Sequence, residues 1–480
     1  MSVTSVISRI DEEFYPNEVF VDGDKLVVIA HVNRYSKPYV YDSADKAKIA
    51  PVYPRFSNVT QCTVYDVSDR KNPVLERTIE VEGNYLSSRK IGNTVYLVAN
   101  KYLNRYIPSD ESPIIYKDNQ SEYQIGYDNI RYFPRFSVSN YLIISSIDIN
   151  QPDNKAVVQT LLGGGENIYV SHQNMYVAAS EYSEDYLKTG IYKFSLTDGK
   201  ITYLKKGEVP GRILNQFSMD ENNGYFRIAT TSYQTQEQNN LFILDETMTI
   251  CGSIDEIAPG ERIYSVRFIG NKGYMVTFKQ VDPLFVIDLA DPYNPRILGN
   301  LKIPGYSDYI HPVDENHLIG FGKDATGEGL YQGMKMALFD VSDVANPVQK
   351  FQEIIGDRGT ESSLLQNHKA LLFLPELNIL AFPVTVREVL EEDLYKSAYG
   401  QLAFSGAYIY DFNTNNGFSL KGKISHLAHD DMLKLGNYVP QEKEIKRIVY
   451  ANNSLITVSD SMVQAHTSKG VEYQNGIEIK

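Results

Sequence analysis

Charged residues recur beside glycine in a series of short phrases. Gly165-Glu166-Asn167, Gly211-Arg212-Ile213, Gly260-Glu261-Arg262 and Gly356-Asp357-Arg358 are its clearest members, and Gly83-Asn84-Tyr85 and Gly305-Tyr306-Ser307 are weaker ones. With Arg89, Arg267 and Arg447 they give a set of guanidiniums and carboxylates: Arg89, Glu166, Arg212, Glu261, Arg262, Arg267, Asp357, Arg358 and Arg447. Such a set supports two chemistries. Guanidinium–carboxylate pairs can staple neighbouring elements together. Guanidiniums converging on a concave surface can instead hold an anionic small ligand or a chain terminus. A second set is aromatic. Tyr35, Tyr39, Tyr41 and Tyr53 crowd one segment, and Tyr102, Tyr106, Tyr116, Tyr123, Tyr127 and Tyr132 crowd another. Tyrosine offers a large contact area at low entropic cost, with a polar tip, so Tyr39, Tyr53, Tyr106, Tyr116, Tyr127 and Tyr132 are candidates for partner contact; packing of their own segments is the alternative. His426, His429, Asp430 and Asp431 have the side-chain types of a divalent-metal site, without a strand or helix to fix their spacing, and solvated loop residues are the preferred reading.

Established catalytic signatures are absent. The sequence holds no Gly-x-Ser-x-Gly elbow, no His-Glu-x-x-His and no phosphate-binding loop, and Gly163-Gly164-Gly165 lacks the following Lys-Ser/Thr. Ser87, Ser88 and His368 form no readable nucleophile–base pair. No cofactor is expected, and enzymatic activity is left open.

Composition narrows the classes. The 480 residues are 42% hydrophobic and 22% charged, as in a soluble globular protein. A net charge of −14 disfavours nucleic acid, whose phosphates require a positive field. No apolar run reaches the ~18 residues of a membrane span. Cys62 and Cys251 fall in different repeats, so no disulfide is expected.

The elements that position these residues follow from an internal repeat. Val64-Tyr65-Asp66-Val67-Ser68-Asp69-Arg70-Lys71-Asn72-Pro73 returns as Val286–Pro295 and as Leu338–Pro347. Each unit reads as four short strands, a to d. A tight polar turn joins a to b, and strand c ends on the aromatic/aliphatic–Asp phrase. An Asx/Pro turn then leads to d. The phrase is read as a turn, with a structural calcium loop as the alternative. Runs such as Thr94–Val98, Leu284–Ile287 and Leu455–Val458 suit sheets buried on both faces. The expected fold is all-β: a single β-propeller over residues 1–480, of four-stranded blades, eight in number with seven as the alternative. N- and C-terminal strands should close the ring, with Ser5–Ile10 or Val471–Ile479 as the last blade's fourth strand.

Strand direction alternates, so the d–a and b–c connections share one face. The long insertions are b–c, near 32–60, 101–139, 323–334 and 387–404, plus a d–a insertion near 427–445. Strand a is innermost, which would place the Gly-Glu-Arg junctions around the channel mouth on that same face, where binding is expected.

Longer stretches carry a family resemblance. Gly83–Arg89, Asn215–Asp220, Pro259–Phe268, Tyr274–Phe285 and His311–Gly320 resemble bacterial and archaeal secreted proteins that contain a C-terminal β-propeller domain. The resemblance covers almost the whole chain. It implies an extracellular or cell-surface location and transfers no catalytic residue. That family carries a leader and further N-terminal sequence, whereas Met1–Val6 lacks a leader's basic start, so a processed form is expected. The expected role is a monomeric binding module for a protein or peptide. Cell-envelope polysaccharide is a further partner class, weakened by the absence of tryptophan, and a hydrolase or lyase at the channel mouth is the competing reading.

Overall fold

Strands dominate the chain, in eight successive sheets of meandering antiparallel hairpins. The structure is a computed structural model. It describes residues 3–8, 13–39, 53–103, 114–132, 140–165, 167–182, 187–279, 282–326, 329–390, 398–428, 434 and 436–479, with backbone only at 35–39, 53–57, 182 and 282. Two compact units are present: residues 3–212 with 247–249, and residues 213–246 with 250–480.

The first unit holds three sheets. Strands a to d are Phe14–Asp22, Lys25–Tyr39, Tyr53–Asp66 and Val74–Glu82 in the first, and Asn84–Ile91, Thr94–Tyr102, Asn140–Asp148 and Val157–Leu162 in the second. The third is Asn167–Val170, Asn174–Tyr182, Leu187–Thr197 and Lys200–Pro210. Alternation at a period of two explains why strands b and c read as continuous apolar runs. In the second sheet Val95, Leu97, Tyr141 and Ile143 pack against Val27, Ile29, Cys62 and Val64 of the first. The intervening Tyr96, Val98, Leu142 and Ile144 pack on Val177, Tyr192 and Phe194 of the third.

The second unit repeats this logic over five sheets. Their strands are Met219–Asn222, Tyr225–Tyr233, Glu237–Leu244 and Ile250–Ile257; Arg262–Ile269, Lys272–Phe278, Asp282–Asp288 and Arg296–Ile303; and Tyr306–Pro312, His317–Ala325, Tyr331–Asp340 and Val348–Ile355. Leu372–Leu374, Ile379–Glu388, Gln401–Asn413 and Gly417–Ile424 form the seventh sheet, and Arg447–Ala451, Ser454–Val458, Met462–Thr467 and Tyr473–Glu478 the eighth. Phe321, Met336 and Leu338 of the sixth sheet meet Leu380, Phe382 and Tyr410 of the seventh, and Phe382 stacks on Tyr410 at 6.0 Å. Each such side chain contributes roughly 1.5–3 kcal/mol on burial.

The repeated aspartates close turns. Asp66, Asp288 and Asp340 each accept the backbone N–H two residues on, at 2.9–3.0 Å. Asp69, Asp291 and Asp343 do the same and also accept the side-chain amide of Asn72, Asn294 and Asn346 at 2.7–3.0 Å. These bonds hold the six aspartate side chains of the three turns in place, and at Asp66 bonds from Ser68, then Lys25, lower the carboxyl to about 2. A feature with no mark in the sequence accompanies them. In seven of the eight sheets the pairing of c with d shifts by one residue just before the end of strand c. The extra residue of d is turned out of register. In the sixth and seventh sheets it is Lys350 or Lys421, which reaches back to Asp340 (3.8 Å) or Asp411 (2.8 Å).

Two expectations are corrected, and a third is settled between its alternatives. The segment 101–139 is not a plain loop: Ile114–Asp118 and Ser121–Ile125 form a hairpin added to the outer edge of the first sheet, and Ile130–Tyr132 runs parallel to strand d of the second. Its anchor is Arg77, 1% exposed, whose Nε and Nη2 donate to Asp118 at 3.0 and 2.7 Å while Nη1 donates to the Asp148 carbonyl. The 32–60 insertion is likewise built partly of strands b and c, paired as far as Tyr39 and Tyr53. Of the two candidates for the fourth strand of the eighth sheet, the structure has the C-terminal one, Tyr473–Glu478; residues 3–8 form no strand, and Ser5 Oγ donates to the Arg70 carbonyl in the c–d turn of the first sheet.

Asp118→Asn leaves the buried Arg77 guanidinium without its counter-charge and should cost about 3–5 kcal/mol in urea unfolding. The double substitution Arg77→Met with Asp118→Leu should be distinctly less damaging. Equal loss in both would show that the pair does not anchor the hairpin.

Candidate functional site

In the second unit the junction phrases and the insertions meet. Glycine is required where strand a begins: a Cβ on Gly305, at φ 85°, would collide with the Lys323 carbonyl. The chain thereby turns sharply enough to bring junction residues beside the b–c connections. The Asp357 carboxylate accepts the Val389 N–H at 2.8 Å, and the Gly400 N–H donates to the Arg358 carbonyl at 2.8 Å. The Arg358 guanidinium lies over Tyr331 at 4.8 Å and over Tyr399 at 4.6 Å, and the two tyrosine hydroxyls are 2.6 Å apart. Arg387 donates to Asn437 of the 427–445 insertion at 3.2 and 3.1 Å. Junctions and insertions thus share one end of these strands. Tyr233, Tyr399 and Tyr438 stand out to solvent there, 71%, 62% and 64% exposed.

A neighbouring aromatic group joins the fifth and sixth sheets. Tyr264, Phe278 and Tyr306 pack with centroids 4.9–5.4 Å apart, and Arg262 covers Tyr264 at 5.4 Å and donates to its hydroxyl at 3.2 Å. Pairing of strand a with b skips one residue at Leu86, at Tyr264 and at Asp308 in the second, fifth and sixth sheets. The skip releases these side chains from the regular alternation. Burial pushes the Asp308 carboxyl up to about 7, opposed by Lys323 and reinforced by Glu361. Lys323 is itself committed, to Glu361 at 2.9 Å and to the Thr360 carbonyl.

Deeper in this unit, the first strands of non-neighbouring sheets converge. Phe217, just before strand a of the fourth sheet, touches Tyr309 of the sixth at 5.7 Å and His368, ahead of strand a of the seventh, at 4.8 Å. Arg267 lies over Phe217 at 4.8 Å. The Tyr309 hydroxyl is 3.1 Å from His311 Nδ1, and His311 meets Phe373 edge-on at 4.9 Å. Burial first, then Arg267 and His368, lower His311 to about 4.

The expected residues therefore separate. Glu261, Arg262, Arg267, Asp357, Arg358 and Arg447 fall in the second unit, Arg89 and Arg212 in the first, and Glu166 lies outside the described residues. Arg262, Arg267 and Arg358 lie over aromatic rings, and Glu261 accepts from Thr277 Oγ1 at 2.5 Å. A guanidinium loses less hydration on an aromatic face than in a buried ion pair. Tyr116 is buried against Tyr123, 5.0 Å away, and packs its own hairpin, whereas Tyr127 and Tyr132 are 58% and 68% exposed. Tyr39 and Tyr53 are described as backbone only, and Tyr106 lies outside the described residues, as do His429, Asp430 and Asp431. His426 is buried with Nδ1 and Nε2 both 2.9 Å from hydroxyls, of Ser459 and Thr457, so neither ring nitrogen is left for a metal. Sequence reasoning missed Asp308, Tyr331, Tyr399 and Phe217. The signal for Tyr331 and Tyr399 was their position in the 323–334 and 387–404 insertions; Asp308 left none.

Asp308 makes stability depend on pH. Its folded value lies above the usual 3.8, so its protonated form favours folding: that contribution is complete below about 4 and is lost as pH rises through about 7. The urea midpoint of Asp308→Asn relative to wild type should therefore rise between pH 5 and pH 8. A constant difference would show that Asp308 titrates normally.

A profile of the beta propeller domain family matches residues 1–471, and the chain belongs to that family. An uncharacterized protein of Methanocaldococcus jannaschii is 32% identical over 431 residues, covering 83% of this chain and 64% of the relative. One of Archaeoglobus fulgidus is 43% identical over 203 residues, covering 42% and 31%. The chain thus spans less than two thirds of either relative's length. Among solved structures, Sqt1 from Chaetomium thermophilum is similar with a TM-score of 0.42 at 10% identity, over 82% of this chain and 87% of that one. The β-propeller domain of the Trilobed protease from Pyrococcus furiosus is similar with a TM-score of 0.37 at 7% identity, over 85% and 95%.

Proposed function

We propose that this member of the beta propeller family is a secreted or cell-surface binding module, an eight-bladed monomer that takes a protein or peptide partner on its insertion-bearing face. The observation that carries the reading is Arg358 held between Tyr331 and Tyr399, with Tyr233, Tyr399 and Tyr438 exposed at the same strand ends. Tyrosine and arginine dominate the energetics of protein interfaces, because both bring large flat surfaces that lose little freedom on binding. Stacking fixes the Arg358 plane in advance. Its location is supported by the resemblance to secreted propeller-bearing proteins, and its blade count by the eight sheets.

Asp308 favours a second reading. A carboxyl protonated near neutrality beside Glu361, which is exposed, is the kind of pair that divides general acid and general base roles in a hydrolase or lyase. The binding reading is preferred, since the aromatic–arginine surface is extended and open.

A random peptide library panned on the full chain should yield ligands that Tyr399→Ala and Arg358→Ala each weaken about tenfold or more. Tyr293→Ala, at an exposed c–d turn, should leave them unchanged. Equal affinity for all variants, or loss only with Tyr293→Ala, would contradict the assignment.

A further inference from the structure

We propose that a cavity between the second and third sheets, within the first unit, is a site for a neutral sugar, bound through its hydroxyl groups by Thr94, Ser146 and Asp148. The site lies beyond the insertion-face reading and uses none of its residues. The cavity measures about 490 Å³, a size suited to a small ligand. Its walls are the ends of strands b and c of the second sheet, with the c–d turns of the second and third. Register explains the first wall. Thr94 pairs with Asp148, Tyr96 with Ser146 and Val98 with Ile144, so these side chains share one face, the one packed on the third sheet. Val98 and Ile144 keep that face apolar, and at the strand ends it turns polar. Opposite stands Asp198-Gly199, a two-residue turn between the paired Thr197 and Lys200, with φ at 52° and 72° as a type I′ hairpin requires. A Cβ on Gly199 would stand 3.5 Å from Ser146 Oγ and 3.7 Å from Thr94 Oγ1, so glycine keeps the space before both hydroxyls open.

The polar groups here are fixed in place but unfilled. Ser146 is 5% exposed and lines the cavity, and among the described residues its hydroxyl has no hydrogen-bond partner, nor has that of Thr94. A buried hydroxyl left without a partner is unfavourable. Asp148 Oδ1 accepts the Asn150 N–H at 2.9 Å, which leaves Oδ2 over, and Asp198 adds an exposed carboxylate at the rim. The Tyr96 hydroxyl is engaged by the Gly199 backbone. The turn that carries Asp148 is held from behind. Buried Arg77 donates to the Asp148 and Asn154 carbonyls, and Asp118, its counter-charge, accepts the Ala156 N–H at 2.9 Å. Lys155 of the same turn stands over the Tyr123 ring at 3.6 Å.

The mixture of groups says which ligand. Carboxylates only accept hydrogen bonds, the Lys155 ammonium only donates, and the Ser146 and Thr94 hydroxyls do both. An anion is repelled by Asp148 and Asp198 and leaves them unfilled. An ammonium ligand is repelled by Lys155 and gives the hydroxyl hydrogens no acceptor. The neighbouring hydroxyls of a sugar donate to the carboxylates and accept from serine, threonine and lysine, while its C–H face meets Ile91 and Leu196.

Saturation-transfer NMR on the full chain, with D-glucose, D-galactose, D-mannose and D-xylose each at about 10 mM, reads the site directly. At least one sugar should receive saturation, and neither calcium chloride nor putrescine should displace it. Asp148→Asn keeps an acceptor for the Asn150 N–H and should weaken that sugar about tenfold, the loss of a charge-assisted contact. Ser146→Ala should weaken it about fivefold. The same variant should leave the melting temperature unchanged or raise it, because the hydroxyl has no partner to lose in the free protein. Circular dichroism confirms folding. Should either variant not fold, Thr94→Val is the substitute and should weaken the sugar. Tyr399→Ala should bind the sugar unchanged, which separates failure here from failure of the insertion-face reading. No transfer to any of these sugars, displacement by calcium or putrescine, unchanged affinity in the folded variants, or a lowered melting temperature in Ser146→Ala would each overturn the proposal.

Discussion

The second, fifth, sixth and seventh sheets pack on a neighbour through both faces, and this one requirement governs the rest of the molecule. A strand such as Thr94–Tyr102 has no free face: Val95 and Leu97 serve one neighbouring sheet, Tyr96 and Val98 the other. A charge in the middle of strand b or c therefore needs a partner, as Arg227 in strand b of the fourth sheet has in Asp220. Binding chemistry is confined to strand ends and to the first strands. The aromatic–arginine surface and the cavity beside Ser146 lie at strand ends, and the Arg267–Phe217 contact on the first strands.

Register irregularities extend what those positions can do. In a regular strand the residues between Ser307 and Tyr309 or between Ile263 and Ser265 would keep the pleat's alternation. Skipping Asp308 and Tyr264 in the pairing frees both from it. Burial then does the chemistry, raising Asp308 while Lys323 is held by Glu361 and Thr360. The same device in strand d gives Lys350 and Lys421 back to the turn aspartates, so one distortion serves stability in one strand and site-building in another.

Much of this was legible in the sequence, for a local reason. The Asp-x-x-Asp-x-x-Asn-Pro turns are made by bonds two or three residues long, so their residues recur wherever the turn does. Once they placed each strand c, chain direction alone put the junctions with the insertions. Contacts across distance were not legible. Nothing local tells Arg358 to lie over Tyr331 and Tyr399, or His426 to lie between Ser459 and Thr457. The hairpin at Ile114–Asp118 was hidden by its tyrosines. Yet Ile114, Tyr116 and Asp118 alternate with Ile115 and Lys117, and Asn119-Gln120 supplies the turn. The skipped residues carry no compositional mark, since an unpaired position accepts Leu86, Tyr264 or Asp308 alike.

The central claim is that peptide binding belongs to the insertion-bearing strand ends and the plain c–d turns take no part. Hydrogen exchange read by mass spectrometry, with and without a library-selected peptide, addresses it directly. Protection should appear at 329–334, 356–361, 398–402 and 436–439 and be absent from the turns at 289–295 and 341–347. Protection confined to those turns would contradict the account.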